Sequence, residues 1–443
     1  MNDLILREPL GSRGAAAPTH ARKTRRDPSE LARRYASVRG QTDALTGTLQ
    51  TEDFVVSSMA DVSPTKWHLA HTSWFFETFV LSIQLDSYRA LDPKYSFLFN
   101  SYYVQAGERH CRAQRGLLTR PTVSQVFEYR AHVDDEMRSL FRAIGDDPEH
   151  PALSLIELGL HHEQQHQELL LTDIKHVFWT NPMRPVFSAV PVRASEEAPR
   201  VQWVTFAGGV YRIGHDHPDR FSFDNEGPSH RVYVDAFKLA TRLVTNGEYL
   251  AFVEDGGYRR PDLWLSNGWA TVQAQRWQAP LYWESTPSGW TEFTLGGTRR
   301  LDPAEPVCHV SYVEADAFAR WSGARLPSEA EWEIAAAGVP MTGPYVEAGR
   351  FHPAPASDGS PDAPRQLYGD VWQWTQSPYV AYPGFSPAAG AIGEYNGKFM
   401  CDQWVLRGAS CATPQSHARQ TYRNFFPSDA RWQFAGIRLA GPP

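Results

Sequence analysis

His162-Glu163-Gln164-Gln165-His166 sets two imidazoles four residues apart beside a carboxylate. H-E-x-x-H is the spacing by which zinc peptidases hold their metal, the glutamate serving as general base. Residues four apart share a helix face, and here that face reads Leu155, Leu158, His162, His166, Leu169. Histidines on the inward stripe of an amphipathic helix are either hydrogen-bonded core residues or metal ligands, and the i, i+4 pair favours the metal. A peptidase would take its third ligand downstream. Only Asp173 and His176 follow before a proline-rich stretch, and His176 lacks the spacing of an extended zinc motif. Upstream, SPTKWHLAHTSWFFE (63–77) reads as a second amphipathic helix with Trp67, His71, Trp74 and Thr78 on one stripe. His71 is therefore the favoured third ligand, with His68, His161 and His176 as alternatives. Three neutral imidazoles suit zinc, iron or copper and leave the ion its full charge. Glu163 is expected to be structural.

The elements that must position these residues follow from pattern. Helical spacing runs over 28–48, 64–86, 121–144 and 151–178, with Ser63-Pro64 as N-cap and first helical proline. Four such segments predict a helical bundle over 28–180. The stretch 91–120 between them is not helical in pattern, and connections that long are often functional. A proline-rich linker is expected at 181–200. Beyond it, short apolar runs broken by Gly, Pro, Asn and Asp predict an irregular α+β domain over 201–443, holding most of the chain's 15 tryptophans. Its helices are expected near 245–254, 311–322 and 328–337, the last with a Ser328…Glu331 capping box.

Bulk properties bound the function. At 443 residues the chain is long enough for two cores. A net charge of −7 gives no reason to expect nucleic acid or an anionic membrane as partner. The most apolar run, WFFETFVLSIQL, is interrupted by Glu77 and Gln84. Residues 1–27 are basic near their end but lack an apolar core, so they read as a disordered tail rather than a signal peptide. The four cysteines, Cys111, Cys308, Cys401 and Cys411, form no CxxC pair, in keeping with a cytoplasmic protein without disulfides.

SPTKWHLAH, HEQQH and the region 195–440 resemble the iron-dependent sulfoxide synthases of ergothioneine biosynthesis, the EgtB family. The phrases that carry the resemblance include FDNEGPSHRVYVDAFKLATRLVTNGEYLAF, EPVCHVSYVEADAFARWSGARLPSEAEWEIAAAG, LYGDVWQWTQSP and VLRGAS…FAGIRLA. The resemblance implies a DinB-like bundle joined to a domain like the formylglycine-generating enzyme, itself related to C-type lectins. It implies Fe(2+) held by His71, His162 and His166, with O2 as co-substrate. The implied reaction joins a thiol to C2 of the hercynine (N-α-trimethylhistidine) imidazole and oxidises the sulfur to a sulfoxide. Formylglycine-generating enzymes carry two cysteines after a GGS motif. Here Gly408-Ala409-Ser410 is followed by Thr413 and Ala418 at those positions, and Cys411 alone does not make that copper site.

Within the 91–120 stretch, Tyr102 and Tyr103 are the pair expected at the metal. A phenol there can hand a proton or hydrogen atom to activated oxygen, steering it toward C–S coupling rather than plain thiol dioxygenation. The resemblance, closest to the branch that uses free cysteine, raises that role above simple packing. Arg112 and Arg115, three apart, are expected to bind the cysteine carboxylate. Gln165 matches the family's glutamine at the hercynine imidazole, and Asn424 the asparagine that holds the betaine. Phe425 and Phe426 add faces for a trimethylammonium. Relatives that take γ-glutamylcysteine carry Trp-Asp there, so Phe-Phe points to cysteine. The alternatives are γ-glutamylcysteine as donor, an ovothiol-type histidine–cysteine synthase, and a non-catalytic metal-binding module. The oligomeric state is not encoded in any visible motif.

Overall fold

Asp27 starts the first helix. Its carboxylate accepts from the amides of Ser29 (2.8 Å) and Glu30 (3.3 Å), donors that a helix leaves unpaired at its N-terminus. The computed structural model describes residues 26–189, 197–357, 359–360 and 362–443. Arg26 and Asp27, expected in the tail, are thus tied into the fold, Arg26 through a 2.6 Å ion pair to Glu157. The rest of the tail (1–25) and the middle of the expected linker (190–196) lie outside the described residues.

Four helices follow in order: α1 (Pro28–Thr46), α2 (Thr65–Phe76), α3 (Val123–Ile144) and α4 (Ala152–Thr180). Helix α2 packs on both α3 and α4, and α1 packs on α4 and α3, closing a bundle. A single π turn, Glu77–Leu81, carries α2 on to Gln84. Ser63 does not cap α2 as its sequence suggested. Pro64 takes that place, its carbonyl accepting from Trp67 N (2.8 Å), while the Ser63 hydroxyl accepts from Arg115 (2.9 Å). Gly159 lets α4 approach α2, since a Cβ there would sit 2.5 Å from a Phe76 ring carbon. That close approach sets the spacing between His71 on α2 and His162 on α4, one turn further along. No helix among the described residues is long and apolar enough to cross a membrane.

The C-terminal part carries four small sheets. Strands β1 (Trp203–Phe206), β4 (Phe237–Ala240) and β12 (Ala440–Gly441) form one, with β4 in the middle. A hairpin pairs β2 (Gly209–Ile213) with β3 (His230–Val234). Strands β5 (Trp283–Thr286), β6 (Gly289–Thr294) and β7 (Gly297–Arg300) form a meander. The fourth sheet has the order β10-β9-β8-β11, from Asn424–Phe426, Trp404–Gly408, Trp372–Pro378 and Ala435–Gly436. Helices α5 (Asn246–Glu254), α7 (Tyr312–Trp321) and α8 (Glu329–Ala335) stand where they were expected, α8 with the expected Ser328–Glu331 capping box and the other two with capping boxes at Thr245 and Ser311. Between them stands α6 (Ser266–Gln275), which was not expected from the sequence; its N-cap, Leu265, offers no side-chain acceptor.

The two parts meet through α4. Glu168 accepts from Trp372 Nε1 (2.8 Å), Ser410 Oγ (2.5 Å) and Thr413 Oγ1 (2.7 Å). The segment from Ser410 to Thr413 is thus a docking point for the bundle. Cys411 is buried and burial pushes its thiol pKa well up, so it is not a reactive thiolate.

Candidate metal centre

Helix α2 presents His71 between two indoles, its ring stacked on Trp67 (4.6 Å between centroids) and Trp74 (5.4 Å). His71 Nδ1 lies 2.6 Å from the carbonyl of Phe99. A carbonyl can only accept, so Nδ1 carries the proton and Nε2 carries the lone pair. That lone pair faces His162 Nε2 at 3.1 Å. One turn along α4, His166 closes the group: its ring centroid lies 4.6 Å from that of His162 and 4.7 Å from that of His71. One ligand nitrogen from each of the three histidines falls within 4.8 Å of the others, all of them buried.

His166 is held from behind. Its Nδ1 lies 2.9 Å from His68 Nδ1, and His68 Nε2 lies 3.0 Å from Asp173 Oδ2. With His166 turning Nε2 toward the cluster, its Nδ1–H donates to His68, and His68 passes its own Nε2–H to Asp173. This carboxylate–imidazole–imidazole chain orients the ligand as outer-sphere partners of metal-bound histidines do. His68, one of the alternative ligands, therefore supports the cluster from outside. His176 bonds Ser58 Oγ (2.7 Å) and His161 faces His417 (3.0 Å), both away from the three histidines.

The donor set fits a cation. Burial lowers the pKa of all three imidazoles, that of His162 to about 3, so each is neutral and able to donate a lone pair. Whichever tautomer His162 adopts leaves one group unsatisfied. If Nε2 carries the proton, Nδ1 is a buried acceptor with no partner. If Nδ1 carries it, two lone pairs face each other at 3.1 Å. A buried polar group without a partner costs about 1–3 kcal/mol, and an ion between the nitrogens removes that cost.

Glu163 points elsewhere. Thr42 (2.7 Å), Arg39 (3.0 Å) and Arg130 (3.3 Å) surround its carboxylate inside the bundle. Burial alone would raise its pKa, but the two guanidinium groups outweigh burial and hold it low. A carboxylate fixed between α1 and α3 is not a general base for the metal.

Tyr102 and Tyr103 stack on each other at 4.6 Å, and Tyr103 packs at 5.6 Å against Trp74, the indole on which His71 also stacks. Burial raises the pKa of both phenols, with each phenol adding to the other's surroundings, so they keep their protons at neutral pH. The two arginines part company. Arg112 is exposed and bonds the Asp61 carbonyl (2.6 Å), so it is not brought to the cluster. Arg115 is buried, its guanidinium carbon 3.3 Å from the Trp67 ring centroid and Nη1 on Ser63 Oγ. Burial lowers its pKa, its Nε has no partner, and no carboxylate among the described residues lies within ion-pair distance.

Gln165 donates to Tyr422 Oη (2.6 Å) across the junction of the two parts. Asn424 turns its side-chain oxygen to the amide of Phe425 (2.9 Å), and Phe425 stacks on Tyr379 at 4.1 Å. Strand β10 reaches the tyrosine pair through Phe399, whose ring lies 5.8 Å from Phe425 and 5.0 Å from Tyr102. Phe426 faces Trp432 (6.3 Å). Sequence reasoning missed Tyr395, whose ring stands 5.7 Å from His162 and stacks on Phe223 at 5.3 Å. It separates the histidines from a cleft of about 540 Å³, lined by Leu155, Leu158, Phe221, Phe223, Asp224 and Arg220 among others. That volume lies within the range of small-molecule sites.

Residues 34–170 match the DinB superfamily, and residues 188–360 and 360–442 match the Sulfatase-modifying factor enzyme 1-like domain. The chain is similar to the hercynine oxygenase of Mycobacterium tuberculosis, at 33% identity over 93% of this chain and 99% of that one. It is similar to the hercynine oxygenase of Mycolicibacterium thermoresistibile at 32%, over 93% and 94%. The formylglycine-generating enzyme of Thermomonospora curvata is 28% identical over 52% of this chain and 95% of its own.

Proposed function

The chain belongs to the hercynine oxygenase family, and on that premise we propose that it joins the sulfur of cysteine to C2 of the hercynine imidazole and oxidises that sulfur, using iron(II) and O2. The observation that carries the reading is the convergence of His71, His162 and His166, three neutral imidazoles with ligand nitrogens within 4.8 Å. Iron(II) bound there would gather a thiolate, an imidazole and O2 at one centre and supply the redox chemistry between them. The reaction balances as a four-electron oxidation. The C2 hydrogen and the thiol hydrogen leave, one oxygen atom goes to sulfur, and the other departs as water.

The protein's own groups bind, orient and move protons. Arg115, a buried cation without a carboxylate partner, is suited to the cysteine carboxylate. The cleft beyond Tyr395 is suited to the betaine, with Phe221, Phe223 and Asp224 toward the trimethylammonium and Arg220 toward the carboxylate. That assignment gives the aromatic binding role to the cleft, whereas Phe425 is engaged with Tyr379. Tyr102 and Tyr103, kept protonated by burial, would deliver a proton from a phenol Oη as oxygen is reduced. His68 and Asp173 would hold the proton on His166 Nδ1, keeping Nε2 for the ion.

The test is a competition. Protein reconstituted anaerobically with iron(II) is given O2, hercynine and equal amounts of cysteine and γ-glutamylcysteine, and products are read by mass spectrometry. Hercynylcysteine sulfoxide as the main product supports the reading. A predominant γ-glutamyl adduct overturns the choice of thiol, and in a parallel reaction with histidine replacing hercynine, coupling to histidine where hercynine gives none overturns the choice of imidazole.

A further inference from the structure

The turn that follows the tyrosine pair begins in one domain and is capped from the other. Val104–Ala106 forms one 3-10 turn with Tyr103 at its N-cap, and the opening amides of such a turn have no partner within it. Glu394 supplies both acceptors: Oε2 takes Val104 N (2.8 Å) and Oε1 takes Gln105 N (2.9 Å). Lys398, four residues on, pairs with Glu394 (2.9 Å), donates to the Tyr102 carbonyl, and sets its ammonium 4.9 Å from the Tyr102 ring centroid. Asn100 grips the opposite side. Its buried amide accepts from Tyr103 N (3.2 Å) and donates to Tyr103 O (3.0 Å) and Gly107 O (3.1 Å). The segment that carries Glu394 and Lys398 also brings Tyr395 to 6.1 Å from Tyr102, and Phe399 to 5.0 Å.

We propose that Glu394 and Lys398 are positioning residues that clamp the backbone from Tyr102 to Gln105, Lys398 at the Tyr102 carbonyl and Glu394 at the Val104 and Gln105 amides, and so fix where the two phenols stand. Asn100 holds the bundle side, while on the outer side the backbone is held by the Glu394 and Lys398 charges of the C-terminal domain, beside the Tyr395 and Phe399 rings. A carboxylate bridging the Val104 and Gln105 amides fixes the two successive peptides that follow Tyr103, which a single hydrogen bond would not. The inference rests on the proposed reaction, because its consequence is chemical. With the phenols in place, oxygen is used for coupling, and one atom leaves as water. With the phenols displaced, both oxygen atoms add to the cysteine sulfur, giving the sulfinic acid without removing hydrogen from the imidazole.

The experiment compares wild type, Glu394→Ala, Glu394→Gln and Lys398→Ala as iron-loaded full chains. Hydrogen exchange of the 100–107 segment is read together with the ratio of sulfoxide to cysteine sulfinate. For Glu394→Ala the Val104 and Gln105 amides should exchange at least about tenfold faster. The product ratio should shift severalfold toward sulfinate while iron affinity is retained. Glu394→Gln keeps one acceptor oxygen and should fall between the two. Lys398→Ala, on the exposed side of the clamp, shows a smaller shift in the same direction and decides the matter if Glu394→Ala does not fold. Unchanged exchange sinks the clamp. Faster exchange with an unchanged ratio, whatever the rate, sinks its chemical role. A wild type that forms no sulfoxide would overturn the proposed reaction instead, and the exchange data would still judge the clamp.

Discussion

Asp173→Asn should weaken metal binding without touching a ligand. Asp173 is buried, and its Oδ2 accepts from both His68 Nε2 (3.0 Å) and Ser63 N (2.8 Å). The amide preserves the shape but removes the charge. Hydrogen bonds to a charged group contribute about 1.5–3 kcal/mol and neutral ones about 0.5–1.5 kcal/mol, so the chain through His68 loses roughly 1–2 kcal/mol. Converted at about 1.4 kcal/mol per decade, that is roughly five- to thirtyfold in affinity. The assay is anaerobic titration of apo-protein with iron(II) against a competing chelator. Thermal melts of the apo forms separate this effect from any loosening at Ser63, where α2 begins. An affinity within about twofold of wild type in a folded variant would refute the relay from Asp173 through His68 to His166.

Three further perturbations test the parts around it. Gly159→Ala places a Cβ 2.5 Å from Phe76, so it should cost about 1–3 kcal/mol of stability and also weaken metal binding by parting α2 from α4; normal stability in urea unfolding would contradict the contact. Arg115→Met should raise the KM for cysteine at least about tenfold with little change in the KM for hercynine, and equal changes in both would contradict its role. Lys175, buried 2.7 Å from His309 Nε2, has its pKa lowered to about 8 by burial. The unfolded lysine keeps its proton to about pH 10.4, so between about pH 8 and 10 the unfolded state binds more protons and stability rises with pH. Lys175→Met should therefore stabilise by on the order of 2 kcal/mol below pH 8 and by less toward pH 10, and a gain independent of pH in denaturation curves would contradict this.

What the sequence disclosed depended on range. His162 and His166 are legible because a helix fixes what lies four residues away, and His71 because α2 repeats the same stripe. Helices α2 and α4 were legible from their apolar stripes although neither has a side-chain cap, while the short α6, also without one, was not. Arg112 and Arg115 show the limit of local spacing. They share one 3-10 turn, but Trp67 and Ser63 bury the second while the first stays in solvent. Tyr395 and Glu394 approach the tyrosine pair from nearly 300 residues away, and no short-range pattern announces them. His68 was visible as a possible ligand, but whether it binds the ion or orients His166 depends on Asp173, 3.0 Å away in space but 105 residues away in the chain. Thr413 and Ala418 were legible as a missing copper site, while the bonds of Ser410 and Thr413 to Glu168 emerge from the docking of α4.

The central claim is that one three-histidine iron centre couples carbon to sulfur with O2. Its most direct test is a single-turnover reaction of the iron(II)-loaded chain with hercynine, cysteine and ¹⁸O2, followed by mass spectrometry. The account predicts an adduct lacking the C2 hydrogen and carrying one ¹⁸O on sulfur, abolished in His71→Ala, His162→Ala and His166→Ala. Cysteine sulfinate carrying two ¹⁸O atoms as the sole product, or an adduct that persists in those variants, would contradict it.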